Sequence, residues 1–348
     1  LLAPLVFVCA AGLALMSPLI HLWAAVIDLI FDRKRWRTSR FVGVGLAFSV
    51  VEVFGLFTLL TVWIGSGFGL WMNRPFWVRA NTVLTGQYLA LVTRAIRFFL
   101  GYDFSYTYEP IPPGPQLLFS RHAGPGDAFL IARVVIRDAG RRLHMVGAAK
   151  LQWDPFLDIA GERLGFHYLH QNPNDAATEL ERIRALAASM DDDETLVIFP
   201  EGGNFTDGRR QRQIEALLAR DRVELARKAQ ALQHTLLPRA GGTVAAIEGA
   251  PDVVIMFVAH AGLEQLYGFG DLWESVPLGR SVVAHSWVAE PGEAVADRDR
   301  LMAWLYGQWQ RVDDWIGEQL AAGRTGVVDL RDDVHIPPPP VTAEPGSL

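Results

Sequence analysis

From Leu1 to Phe31 the chain is almost continuous apolar sequence, interrupted by Pro4, Pro18, His21 and Asp28. A second apolar stretch runs from Phe41 to Trp71 and contains Glu52. About 20 apolar residues in a row are enough for a helix to cross a bilayer, so these stretches demand either lipid or a large core. The chain is 50% hydrophobic with a mean hydropathy of +0.17. The excess sits at the N-terminal end, which favours a membrane element. A cleavable signal is disfavoured, because no basic segment opens the first stretch and the stretch is too long. Between the two stretches, Asp32 to Arg40 is a short basic loop holding Trp36, the composition of an interfacial segment. The sequence therefore predicts a hairpin of two hydrophobic helices over residues 1–72.

Beyond the hairpin the pattern changes. Phe76 to Leu100 places Val83, Leu84, Leu91 and Val92 near helical spacing, with Arg94 and Arg97 interrupting. This reads as an amphipathic lead-in helix lying against membrane or domain. Tyr102 to Gly114 reads as turn-rich, with Pro110, Pro112 and Pro113. Apolar strands are expected near Gln116, Met145, Thr195, Val253 and Ser281. Helices are expected over 128–138, 176–190, 209–228 and 298–320. Strands and helices alternate, so the fold class is α/β, with a mixed, largely parallel sheet flanked by helices. The expected units are the hairpin over 1–72, a domain over 73–330 and a proline-rich tail over 331–348. The single cysteine, Cys9, excludes an intrachain disulfide. A net charge of -6 gives no global reason to expect a nucleic-acid partner. Asp191, Asp192 and Asp193 read as a solvated turn, because consecutive side chains diverge and no histidine joins them.

The chemistry-bearing stretch is Ser120-Arg121-His122-Ala123-Gly124-Pro125-Gly126-Asp127, which follows a strand and breaks into a tight turn. His122 is a candidate general base, and Asp127 can fold back to orient its imidazole. A helix-capping aspartate beside a surface histidine is the plainer alternative. A second strand, Leu196 to Phe199, breaks into Pro200-Glu201-Gly202-Gly203-Asn204-Phe205-Thr206. Together these blocks resemble the glycerophospholipid acyltransferases. In that family a histidine and an aspartate separated by four residues precede a Phe-Pro-Glu-Gly block. His122 and Asp127 match the first, and Phe199, Pro200, Glu201 and Gly202 the second. Leu236-Leu237-Pro238-Arg239 resembles the fourth block in the form found in the lysocardiolipin-like branch, as do Trp304, Leu305, Trp309 and Asp313. The resemblance spans roughly residues 80–320.

The resemblance implies an acyltransferase domain that moves an acyl chain from acyl-coenzyme A, or from acyl carrier protein, to a lysophospholipid hydroxyl. 1-Acyl-glycerol-3-phosphate is the default acceptor. It implies His122 and Asp127 as catalytic residues, and Glu201 as a ligand of the glycerol backbone. Gly202 belongs to the substrate-binding loop, whose backbone N–H groups are candidate oxyanion donors. Lys150 is placed near substrate phosphate. No metal or other cofactor is implied. Three departures from the family pattern bear on the headgroup. Gly203-Asn204 replaces a Thr-Arg pair, Gln171 stands where an arginine is usual, and Arg121 stands where asparagine is frequent. Arg209, Arg210, Arg239 and Arg121 are the candidates to restore phosphate-binding charge, with His167 or His170 as further substitutes. Another lysolipid or glycolipid acceptor, a lipid hydrolase, and a non-catalytic lipid-binding protein are the alternative readings.

The expected location is the cell membrane, with the catalytic domain on the cytoplasmic side where acyl-coenzyme A is made. Charge bias puts the basic loop on that side too, yet a fully spanning hairpin would put its ends on the other. Arg74, Arg79, Arg94 and Arg97 add competing charge on the domain side. A shallow hairpin entering one leaflet removes the conflict. Pro18, Glu52, Gly65, Gly67 and Gly69 are compatible with it.

Overall fold

The computed structural model describes residues 2–124, 126–148, 154–165, 167–169, 176–263 and 269–324. Lys150, His170, Gln171 and the expected tail over 331–348 lie outside the described residues. Three long helices open the chain: α1 (Leu2–Phe31), α2 (Arg37–Gly65) and α3 (Pro75–Leu100). All three are long and apolar enough to cross a membrane by length and composition. The α/β part follows as β1 (Tyr102–Tyr108), β2 (Gln116–Ser120), α4 (Asp127–Arg133), β3 (Arg142–Ala148), α5 (Pro155–Leu164), β4 (His167–Leu169) and α6 (Ala176–Ala188). It continues with β5 (Glu194–Ile198), α7 (Asp207–Leu218), α8 (Val223–Ala231), α9 (Ala240–Gly249), β6 (Val254–Ala261), α10 (Phe269–Ser275), β7 (Arg280–Val288) and α11 (Arg298–Ala321).

The seven strands form one sheet in the order β1-β7-β6-β2-β5-β3-β4. β6 and β7 are antiparallel and every other pair is parallel, so the expected mixed, largely parallel α/β sheet is observed. The central strands are apolar on both faces, as strands covered by helices on both sides must be. Leu117 and Phe119 of β2 join one core with α6, α9 and the Leu301, Leu305, Trp309, Val312 and Ile316 stripe of α11. Leu118, between them, points to the opposite core. That second core is closed by α4, α5, by Tyr88, Leu89 and Val92 of the lead-in helix α3 and, unexpectedly, by Leu56 and Leu59 of α2.

Helices α2 and α3 are thus part of one layer of the α/β sandwich. At the start of α2, Phe41 stacks on Trp273 of α10 at 5.2 Å, and Arg40 donates to the Phe99 carbonyl at 2.8 Å. Midway, the Tyr88 hydroxyl donates to Glu52 at 2.7 Å, and the Phe156 N–H donates to the other Glu52 oxygen at 3.0 Å. Tyr88 and Phe156 stack face to face at 3.7 Å. Further along, Arg163 of α5 reaches the Leu59 carbonyl at 3.3 Å and the Asn81 side chain at 3.1 Å. From Phe41 to Leu59, at about 1.5 Å per residue, the domain accompanies α2 for roughly 27 Å. Glu52 is therefore an interlayer hydrogen-bond acceptor. The basic loop is closed by Asp28, whose buried carboxylate accepts the Thr38 and Ser39 N–H groups at the start of α2.

Several local expectations are refined. Tyr102 to Tyr108 is a strand where turns are expected, because Tyr102, Phe104, Tyr106 and Tyr108 alternate with smaller residues and pair with β7. The helix expected over 209–228 is two helices, α7 and α8, broken where Asp221 takes a left-handed φ of 56°. Asp191 and Asp193 are held by Arg142, at 2.7 and 2.8 Å.

Candidate active site

β2 and β5 are adjacent and parallel, so the loops leaving their C-terminal ends lie side by side. This is where open α/β sheets form binding crevices. His122 follows β2. Its Nδ1 lies 2.9 and 3.1 Å from the two Asp127 oxygens. A carboxylate accepts, so Nδ1 donates and Nε2 keeps the lone pair. Among the described residues no side chain bonds Nε2, and the side chain is 22% exposed. The Phe199 ring packs against the imidazole at 4.7 Å, fixing its plane.

Asp127 serves both as cap and as histidine partner. It is 1% exposed at the first turn of α4 and also accepts the N–H groups of Ala123 at 2.7 Å, Gly124 at 3.0 Å and Ala128 at 2.7 Å. Burial alone would raise its pKa. The His122 hydrogen bond, the charges of His122 and His260 and the Gly124 N–H outweigh burial and leave it below the ordinary carboxylate value. Asp127 is thus held as an anion, fit to stabilise an imidazolium.

Glu201 occupies a different place from the expected one. Its side chain is 1% exposed, and both oxygens are engaged by backbone: Oε1 accepts the His122 N–H and Oε2 the Leu236 N–H, each at 2.8 Å. In this structure Glu201 straps three loops together. Burial raises its pKa to about 7, opposed by the Arg121 charge and the two N–H groups.

Arg121 also turns inward. It is wholly buried, donating to the His260 carbonyl at 2.7 Å and the His234 carbonyl at 2.8 Å, so it sits behind His122 and away from solvent. Arg210 turns to the end of α8, with Nε 2.5 Å from the Leu232 carbonyl and a second nitrogen 2.8 Å from that of Gln230. Arg210 thereby caps carbonyls at the end of that helix.

Arg209 and Arg239 remain exposed, and both cross the glycine pair. A Cβ built on Gly202 would lie 2.8 Å from Arg239 Cδ and 2.9 Å from its Nε, and one on Gly203 would lie 2.7 Å from an Arg209 nitrogen. Gly202 also has a left-handed φ of 66°. Gly202→Ala should destabilise the fold by about 1–2 kcal/mol for the left-handed backbone and displace Arg239. Denaturant unfolding of the detergent-solubilised variant measures the first effect, and the KM for acceptor lipid measures the second.

The segment carrying Arg239 is held from outside. Its N–H donates to the Pro200 carbonyl at 2.7 Å. On α11, Asp313 accepts the N–H groups of Gln233 at 2.8 Å and His234 at 2.7 Å and the Thr235 hydroxyl at 2.9 Å, and the Trp309 indole donates to the Leu236 carbonyl at 3.0 Å. The aromatic and acidic positions of α11 thus brace the segment before α9 as well as pack on the sheet. Sequence reasoning missed His260, at the end of β6, whose Nε2 is 3.9 Å from Asp127. A single histidine in an apolar strand carries no local signal of its partner.

Residues 104–258 match the family model described as Acyltransferase. No curated protein matches the chain. The matched segment runs from β1 into β6 and contains His122, Asp127, Glu201, Gly202 and Arg239.

Proposed function

We propose that this chain, whose residues 104–258 match the family model described as Acyltransferase, is an acyltransferase that transfers an acyl group from acyl-coenzyme A to the free hydroxyl of a lysophospholipid, 1-acyl-glycerol-3-phosphate by default. The observation that carries the reading is the His122–Asp127 pair. Its carboxylate-bound Nδ1 leaves the Nε2 lone pair free, and the His122 backbone is tied to Glu201, next to Gly202. Nε2 takes the acceptor hydroxyl proton as the oxygen attacks the thioester carbonyl. A C–O bond forms, the tetrahedral oxyanion collapses, the C–S bond breaks, and the imidazolium returns the proton to the leaving thiolate. The Gly202 N–H is engaged by the Phe199 carbonyl at 3.1 Å, which makes the Gly203 N–H the better oxyanion donor of the pair. No serine or cysteine is needed as a covalent nucleophile.

Arg239 and Arg209 are the proposed headgroup ligands. They restore at the loop mouth the positive charge that Asn204 lacks. The likeness of Leu236 to Arg239 and of α11 to the lysocardiolipin-like branch supports a larger anionic acceptor as the second choice.

Membrane placement follows from the same geometry. A helix accompanied by the domain for roughly 27 Å has little length left to cross a hydrocarbon core of about 30 Å with that domain in water. The exposed stripe of α3, Phe76, Arg79, Val83, Gln87, Leu91, Arg94 and Phe98, mixes apolar and basic residues as helices lying in the headgroup plane do. Val50, Phe54, Phe57 and Leu60 of α2 are exposed beside it. We therefore favour insertion into one leaflet, with the basic loop and the catalytic domain both on the cytoplasmic side.

The test is acyl transfer by detergent-solubilised protein, using labelled acyl-coenzyme A, a lysolipid panel and mass spectrometry of the products. Acceptor-dependent diacyl product is expected. Free fatty acid formed regardless of acceptor would establish hydrolysis instead. On the preferred acceptor, Arg239→Ala should raise KM about tenfold and change kcat little, as loss of a ground-state charge contact does.

A further inference from the structure

The reaction scheme leaves one buried histidine without a task. His260 is 3% exposed at the end of β6. Its Nε2 lies 3.1 Å from the Arg121 carbonyl oxygen and 3.9 Å from Asp127 Oδ2. A carbonyl only accepts, so Nε2 carries the hydrogen and donates it. Arg121 returns the contact, giving a guanidinium hydrogen bond to the His260 carbonyl at 2.7 Å and its own N–H to the Val258 carbonyl at 3.2 Å. The β2–β6 ladder ends at Ser120 and Val258. The side chains of Arg121 and His260 extend the attachment past the point where the backbones separate.

The Arg121 carbonyl and the His122 N–H belong to one planar peptide unit. The oxygen of that unit accepts from His260 and, at 3.1 Å, from the Ser120 hydroxyl. Its N–H donates to Glu201 at 2.8 Å. The plane is gripped at both ends, and its orientation sets the direction in which the His122 side chain leaves the backbone. On the other side of His122, its carbonyl accepts the Phe205 N–H at 2.7 Å. We propose that His260 is a positioning residue of the dyad, whose ring N–H fixes the Arg121–His122 peptide so that His122 meets Asp127 and substrate in register.

The inference rests on His122 being the base, so the variants are measured beside His122→Ala in the full, detergent-solubilised chain, with the acceptor that the unaltered protein uses best. Glutamine can present an amide N–H in place of the ring Nε2–H, leucine cannot, and asparagine is too short to reach. His260→Leu and His260→Asn should each lower kcat by roughly 10- to 100-fold, the scale of a misplaced catalytic group, with both KM values within twofold. His260→Gln should recover most of that loss. Full kcat in either the leucine or the asparagine variant overturns the proposal, as does a glutamine variant no better than leucine. If the leucine variant fails to fold, the asparagine and glutamine pair decides alone. Turnover retained by His122→Ala would instead remove the base assignment and, with it, this inference. An inactive His122→Ala beside a fully active His260→Leu removes only the inference.

Discussion

Replacing His122 by alanine should lower acyl transfer by on the order of 10²- to 10⁴-fold, the range supplied by a positioned general base, while leaving the folded state nearly intact. The two halves of that expectation have separate sources. The imidazole is partly exposed and its hydrogen bond is to Asp127, which keeps its Ala123, Gly124 and Ala128 N–H partners when the ring is gone. The backbone of His122 keeps its bonds to Glu201 and Phe205. The loop should therefore hold its shape, and the lost proton acceptor should be felt in kcat more than in KM. The measurement is steady-state turnover with thermal unfolding of the same preparation. A variant with more than a tenth of the parent rate would remove His122 from the base role. A variant that neither turns over nor melts cooperatively would show that the ring is structural.

The part of this site visible in sequence is the part written in local pattern. Leu117 to Phe119 and Leu196 to Ile198 are short buried runs that end in glycine-containing loops, and the five-residue step from His122 to Asp127 suits a side chain folding back over a turn. Local pattern does not specify which face a polar side chain takes. Arg121 and Glu201 sit next to His122 and Gly202, and the family resemblance implies substrate contact for Glu201 and makes Arg121 a candidate for phosphate. In the fold each points inward and binds backbone groups contributed by β6, by the loop after β2 and by the segment before α9. Those partners lie 35 to 139 residues away in the chain.

The same holds for the apolar helices. Length and hydropathy identify α1, α2 and α3 as membrane candidates. The sandwich layer formed by α2 and α3 depends on Glu52 meeting Phe156 and on Arg163 meeting Leu59 and Asn81. β1 is the opposite case. Its aromatic alternation was present in the sequence, but the prolines after Tyr108 drew the reading toward turns.

Glu201 should make stability depend on pH in a way that its glutamine variant does not share. Burial raises its pKa from 4.5 to about 7 in the folded protein. A carboxyl with a raised folded pKa binds its proton more tightly when folded. That contribution is fully present below the unfolded value near 4.5 and is lost as pH rises to about 7. A rise of about 2.5 units corresponds to about 3 kcal/mol. Relative to Glu201→Gln, which cannot titrate, the parent should therefore lose about 3 kcal/mol of stability between pH 4.5 and 7.5. Taking the difference between the two proteins removes carboxylates and histidines common to both. Denaturant unfolding in detergent at several pH values gives the slope. A difference that stays flat across the window would mean that Arg121 and the two N–H groups keep Glu201 ionised throughout. Glu201→Ala should behave differently again. It strands the His122 and Leu236 N–H groups and leaves the Arg121 charge without its counter-charge. At about 1–3 kcal/mol for each buried donor, the two stranded groups cost roughly 2–6 kcal/mol on top of the same pH slope relative to the parent, with catalysis falling because the peptide that carries the base is no longer held.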